Sequence, residues 1–483
     1  MKKNILVALF GILSLCSNAQ KYSKEVLEKI KETEHNLATW VQIEGTTNWS
    51  LEERMKFYKA KGVSIAVIKN YKVEWAKAYG WADSAEKRPA TVQTLFQAAS
   101  NSKSLNSLAV LKLMEEGKLK LDTDINVYLK SWQFPYDSLS KGEKIIIANL
   151  LNHTGGLSTA GFPGYSKKDT LPSLLQILNG KRPANSPPVK SLFEPGLKFQ
   201  YSGGGVEISQ LMIQDITGLP YAEYMQKNIL QPLGMNQSFF TQPPPAEKAK
   251  QMASGYYGDG KQVPEKYKIY PEMAAAGLWT NPSDLAKYVI ETQLSLQGKS
   301  NKIISKAATK LRLTPFIDSA ATLGVFVTNR SGVKYFMHGG GNEGFVSQYV
   351  GSLENGNGVV VMINNNNSGL LDEIINSVAI TYRWPNFYQP AIKKEIKINA
   401  DSLETFTGIY KAGNTTFEMV KKDGALWMNL GGTLYKTHFT DDINFFIYES
   451  IRIYFKFLYT KDHRVGGFSI NEKGIAKKLE IKK

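Results

Sequence analysis

In the run Leu95-Phe96-Gln97-Ala98-Ala99-Ser100-Asn101-Ser102-Lys103, a hydroxyl and an amine stand three residues apart. From about Asn101 to Glu116, Leu105, Leu108, Ala109 and Leu113 recur at helical spacing and Gly117 closes the run, which predicts a helix. On a helix, positions i and i+3 share a face, so the Lys103 amine can reach the Ser100 hydroxyl. A serine in the first turn also sits among unpaired backbone N–H groups and the positive end of the helix dipole, which favour a developing anion. The chemistry on offer is nucleophilic catalysis by an activated serine. A lysine acts as a base at neutral pH only where burial or a neighbouring cation lowers its pKa. Spacing alone is weak: Ser84/Lys87, Ser138/Lys141 and Ser331/Lys334 repeat it and are read as solvated turns. Ser100 differs in its apolar approach (Leu95, Phe96, Ala98, Ala99) and in the buried helix after it.

Three further side chains could join it. Tyr201 precedes Ser202-Gly203-Gly204-Gly205, where its hydroxyl could project into a cleft or its ring could simply fill the core. His338 precedes Gly339-Gly340-Gly341, at the expected end of a strand. Glycines there let backbone pass close to a ligand, or form a plain turn with a surface histidine. His153, in Leu151-Asn152-His153-Thr154-Gly155-Gly156, has no acidic partner nearby in sequence. It is read as a turn-shaping histidine bonded to backbone rather than as a base.

The elements that must position these groups can be read coarsely. Residues 21–61 are polar and helical in character, and Gly62–Ile68 is a buried strand turned back at Asn70-Tyr71 into Val73–Gly80. From Gly161 to Lys198 the chain is rich in proline, glycine and serine and is mostly loop, of a length that is usually functional. A helix follows Gly205 and stops at Gly218, and another starts at Asn281-Pro282-Ser283-Asp284 and runs to about Leu296. Ser347–Ser352 and Val359–Asn364 pair as strands around Glu354–Gly358. Beyond about Glu395 short alternating runs with turns at Asp423-Gly424, Gly431-Gly432, Asp441-Asp442 and Lys473-Gly474 predict a small all-β barrel or sandwich.

A chain of 483 residues is too long for one ordinary core, and 22 Phe, 24 Tyr and 8 Trp make it globular. Lys2 and Lys3, the apolar run Ile5–Leu15 and Ser17-Asn18-Ala19 match a cleavable export signal over residues 1–19. That implies a periplasmic or secreted protein. A lipid anchor on Cys16 fits less well, because Leu15 is bulky where such sites want a small residue. No later apolar run is long enough to span a bilayer. Cys16 is the only cysteine, so the mature chain has neither a disulfide nor a thiol nucleophile. The formal charge of +16 falls to +14 without Lys2 and Lys3 and is scattered. It suits a soluble basic surface, or affinity for anionic cell-envelope polymers, and carries no nucleic-acid motif. His35, His153, His338, His438 and His463 lie far apart without metal-ligand spacing, so neither metal nor cofactor is expected.

Taken in order, Phe96–Lys103, Leu151–Leu157, Tyr201-Ser202-Gly203 and His338-Gly339-Gly340 resemble the motifs of the serine β-lactamase and penicillin-binding-protein superfamily, in its class C-like branch. Pro232-Leu233-Gly234-Met235 and Ala276-Gly277-Leu278-Trp279 match turns usual there, and the resemblance covers roughly residues 55–385. It implies an α/β (α+β) fold, an antiparallel sheet flanked by helices, as one domain over residues 20–390. The β region of residues 395–483 looks like the lipocalin-like tail of many members. The resemblance makes Ser100 the acylating nucleophile, Lys103 the group that keeps its alkoxide accessible and Tyr201 a general base, with Lys103 and Tyr201 both open as the base. It places the oxyanion hole at the backbone N–H groups of Ser100 and Gly341. It has His338 polarise Tyr201 or hold a substrate carboxylate, with a charge that varies near neutral pH, and puts Gly339, Gly340 and Gly203 against substrate. Two departures matter: Gly203 stands where the family has Asn in Tyr-x-Asn, and His338 where it often has Lys in Lys-Thr-Gly. Both lean away from β-lactams and towards esters, or peptides and amides carrying D-residues. β-Lactamase or penicillin-binding activity is the alternative, and a silent cell-envelope binder that keeps the cleft without turnover is the alternative of another class.

Overall fold

A computed structural model describes residues 22–448 and 453–479; the export-signal reading and Cys16 lie outside the described residues. The first element is helix α1 (Lys24–His35), capped by Ser23. The next 25 or so residues are only partly helical, because Val41–Ile43 forms a short parallel pair with Ala391–Lys393. Strands β1 (Gly62–Lys69) and β2 (Lys72–Asp83) then form the expected hairpin, with Asn70 and Tyr71 both at positive φ, as a tight two-residue turn of this hand requires.

The central sheet has seven strands. With β3 (Arg88–Pro89), β4 (Phe326–Arg330), β5 (Val333–Asn342), β6 (Phe345–Ser352) and β7 (Gly358–Ile363), their order is β3-β2-β1-β7-β6-β5-β4. Every pairing in it is antiparallel. Alternation along a strand sends neighbouring side chains to opposite faces. Val63, Ile65 and Val67 therefore join one core with α1 and α6 (Gly369–Thr381), while Ala66 and Ile68 join the other. That second core holds the helices of the site: α2 (Ser102–Glu115), α3 (Gly203–Thr217), the short α4 (Met273–Ala276) and α5 (Pro282–Leu296).

Strand β5 corrects one expectation. It does not end at His338 but continues through the three glycines to Asn342, because Gly339, Gly340 and Gly341 pair with Gln348, Ser347 and Val346 of β6. Its other neighbour stops early: β4 pairs only with Val333–Met337. The last five residues of β5 therefore have one open edge.

The C-terminal region is a nine-stranded, near-closed antiparallel barrel with its own aromatic core, including Tyr410, Phe445, Phe457 and Phe468. Its two edge strands, Thr433–Lys436 and His438–Phe439, are consecutive in the chain, so Thr437 bridges the gap between them. The helix Ala400–Phe406 that precedes it is not visible in the alternating pattern. Trp49 stacks edge-on against Tyr448, tying the barrel to the first region.

Candidate active site

Ser100 lies in a 3₁₀ turn, Ala99–Asn101, that leads directly into α2. Ala99, just before it, is held at φ +49°, a strained conformation for a residue with a Cβ. The surroundings enforce it. The Ala98 N–H donates to Leu278 O (2.9 Å), and Ser102 Oγ donates to Ala99 O (2.6 Å) while accepting from the Leu278 N–H (3.0 Å).

Lys103 follows one turn later and is only 3% exposed. Its ammonium donates to Ser100 Oγ at 3.0 Å and to the Ala275 carbonyl at 2.7 Å. It also lies 5.2 Å from the centre of the Tyr201 ring. A serine and an amine three residues apart thus meet a phenol from about a hundred residues further along the chain. Tyr201 owes its position to the start of α3: Ser202 caps the helix by accepting from the Gly205 N–H (2.9 Å) and donates to Ser158 O (2.6 Å). His153, at φ +60°, accepts from the Ser202 N–H through Nδ1 (3.3 Å), the backbone-bonded role read from sequence. What the sequence did not indicate is that its ring packs on Tyr201, with centroids 4.3 Å apart.

The glycines of β5 differ in what they do. A Cβ on Gly340 would fall 2.2 Å from Ala98 O and 3.1 Å from Ser100 N, so the serine turn rests directly on that residue. Around Gly341 the space is open, and at Gly339 the nearest atom is Ser347 O at 3.9 Å. Arg330 and Val333 close a two-residue turn, so the odd-numbered residues of β5 direct their N–H and C=O groups towards β4. The same parity points the backbone groups of Gly339 and Gly341 out of the open edge.

His338 departs from its expected behaviour. It is 3% exposed, and Nδ1 donates to its neighbour's carbonyl, Gly339 O, at 2.6 Å, leaving Nε2 buried without a partner. Burial first, then the Lys103 charge, pushes its pKa down to about 3. The ring is neutral at physiological pH, so its charge does not vary near neutrality. Burial and Lys103 likewise hold His153 well below the usual histidine value.

Gly203 also has a structural cause. A Cβ there would stand 3.0 Å from both Ala160 O and Phe162 Cε2, so the loop fills the space of the missing asparagine side chain.

Two carboxyls behind Lys103 escaped the sequence reading. Glu207 and Glu272 are both fully buried. Glu207 Oε1 accepts from the Ala275 N–H at 2.9 Å, and Gln210 Oε1 from the Ala274 N–H at 2.7 Å, so α3 grips α4 by its amides. Burial, reinforced by Glu272, raises the Glu207 pKa well above the carboxylate range. Burial raises that of Glu272 to about 7. The signal available for Glu207 was an acid flanked by Val206 and Ile208 on the apolar first half of its helix.

A family model described as Beta-lactamase matches residues 50–379. Protein flp of Staphylococcus aureus (strain N315) is 28% identical over 334 residues, which cover 67% of this chain. The chain spans 64% of the length of that relative. A putative D-alanyl-D-alanine carboxypeptidase of Escherichia coli O157:H7 is 26% identical over 293 residues, covering 55% of this chain and 67% of the relative. Among solved structures, the octameric penicillin-binding protein homologue from Pyrococcus abyssi superposes with a TM-score of 0.61 at 24% identity, covering 88% of this chain and 98% of that one. It shows the shared fold.

Proposed function

Because this chain belongs to the β-lactamase family, we propose that it is an exported serine hydrolase forming an acyl-enzyme on Ser100, with carboxylic esters or D-residue peptides and amides as substrates. The observation that carries the reading is the Lys103 ammonium, bonded at once to Ser100 Oγ and Ala275 O and seated against the Tyr201 ring. In the first step the Ser100 proton passes to the base, either Tyr201 as its phenolate beside the Lys103 ammonium or Lys103 as the neutral amine, and Ser100 Oγ attacks the substrate carbonyl. Negative charge develops on the carbonyl oxygen, where the N–H groups of Ser100 and Gly341 stabilise it; losing one such donor typically costs about 10²–10³ in rate. Tyr201 then protonates the leaving group, and water releases the acyl group by the reverse path.

The neutral His338 and the filled space at Gly203 support the preference over β-lactams. The first removes a fixed cation for a β-lactam carboxylate, and the second removes a side-chain amide for the acylamino group. Export rests on residues 1–19. Among the described residues no helix is long and apolar enough to cross a membrane.

The test is a fluorophosphonate label located on Ser100 by mass spectrometry, together with p-nitrophenyl esters, D-amino-acid amides and nitrocefin as substrates. Labelling and turnover are expected to vanish in a folded Ser100→Ala variant, by about 10⁴-fold or more in rate. Near-wild-type turnover in that variant would exclude the site. Penicillin turnover above ester and amide turnover would reverse the preference. A folded wild-type protein that neither labels nor turns over any of them would be the silent binder.

A further inference from the structure

Immediately beyond Gly341 the open edge of β5 meets a cavity of about 380 Å³, lined by residues that include Phe162, Tyr270, Gly341, Asn342, Glu343 and Asn366. Among the described residues that line it, Glu343 is the only acidic or basic one. Its backbone is fixed: its own N–H donates to the Tyr270 hydroxyl (3.1 Å), and that of Gly344 donates to Asn366 Oδ1. Its carboxylate accepts from the Tyr257 hydroxyl through one oxygen. Among the described residues it makes no ion pair. In a chain with a formal charge of +16, a half-buried carboxylate with no cationic partner on a cavity wall needs a reason.

We propose that this cavity receives the acyl side of the substrate and that Glu343 binds a protonated amine carried there. The inference rests on Ser100 being the nucleophile. With the carbonyl oxygen held at Gly341, substituents on the acyl carbon extend towards the residues that follow Gly341. The aromatic rings of Phe162 and Tyr270 suit an apolar side chain or the face-on approach of a cation. Glu343 supplies the counter-charge, and Tyr257 keeps one of its oxygens oriented. The charge logic complements the loss of a cation at position 338: this wall selects for an amine on the acyl group instead of a carboxylate on the leaving side. The substrate class is therefore an α-amino ester, amide or peptide with a free amino terminus.

The experiment is calorimetric titration, in a Ser100→Ala background that cannot turn these amides over, with D-phenylalaninamide and N-acetyl-D-phenylalaninamide at about pH 6.5, where an α-amine is protonated. The free amine is expected to bind about tenfold more tightly, a difference of about 1.4 kcal/mol. In Glu343→Gln, which retains an acceptor for Tyr257, the ratio should fall below about twofold. Equal affinities with Glu343 in place, or a preference that survives Glu343→Gln, overturn the inference. Should the Glu343 variant not fold, a salt series on the Ser100→Ala protein tests the same charge pairing. Raising NaCl from about 50 to about 500 mM should weaken only the free amine, several-fold, through screening; an unchanged affinity overturns it. Hydrolysis of p-nitrophenyl butyrate, compared between the wild type and Ser100→Ala, reports separately on the nucleophile. A failure of that reading is thereby distinguished from a failure of the amine site.

Discussion

Glu207 and Lys103 hold opposite ends of one residue: the carboxyl of Glu207 takes the N–H of Ala275, and the carbonyl of Ala275 takes the ammonium of Lys103. The position of the amine beside Ser100 is therefore set partly by an acid on a different helix.

Glu207→Leu removes that acceptor and is expected to lower kcat/KM by about 10- to 100-fold, mostly in kcat, through a small displacement of Lys103. Glu207→Gln keeps an oxygen for the Ala275 N–H and should stay within about threefold. Steady-state kinetics on both variants check this; a Gln variant as slow as the Leu variant would mean that the charge matters, not the acceptor.

Glu272 makes stability depend on pH. Its folded pKa of about 7 lies above the ordinary 4.5, so the native state binds the proton more tightly than the unfolded chain does. Stability is thus greatest below about 4.5, falls as pH rises to about 7, and is level above, a change of up to roughly 3 kcal/mol. His338, with its folded value pushed down to about 3, slopes the opposite way below 6.5. The comparison must therefore be a difference between proteins. The stability of Glu272→Gln minus that of the wild type should rise between pH 4.5 and 7 in denaturant titrations; a flat difference would show that Glu272 titrates normally.

The lowered pKa of His338 predicts an uncharged ring across the neutral range. Imidazole resonances assigned through His338→Gln should show no titration between about pH 5 and 8, and the same substitution should not shift the inflections of the pH–rate profile. A histidine titrating near 6.5 that vanishes with the substitution would restore a charge switch at this site.

Gly340→Ala drives a methyl group into Ala98 O and the Ser100 turn. We expect a loss of about 1–3 kcal/mol in stability and about 10²-fold in kcat/KM. Gly339→Ala, whose new methyl meets nothing closer than 3.9 Å, should melt within a degree or two of the wild type. Thermal unfolding of the pair separates a steric role at Gly340 from a general need for glycine in the strand.

Much of the site was legible because its information is local. Ser100 and Lys103 share a helix face by their spacing, Tyr201 precedes a glycine start with a serine cap, and the order of the motifs carries the family likeness. The all-β character of the tail was local too, in alternating residues and glycine turns. Tertiary structure decided the rest, because it depends on what fills the space around a residue. The extension of β5 to Asn342 needs β6 to pair with it, since glycines alone read as a turn. The neutral state of His338 comes from burial beside Lys103, which no neighbour in sequence foretells. The support of Lys103 by Glu207 spans 104 positions, and only packing brings an acid, a peptide group and an amine into one line.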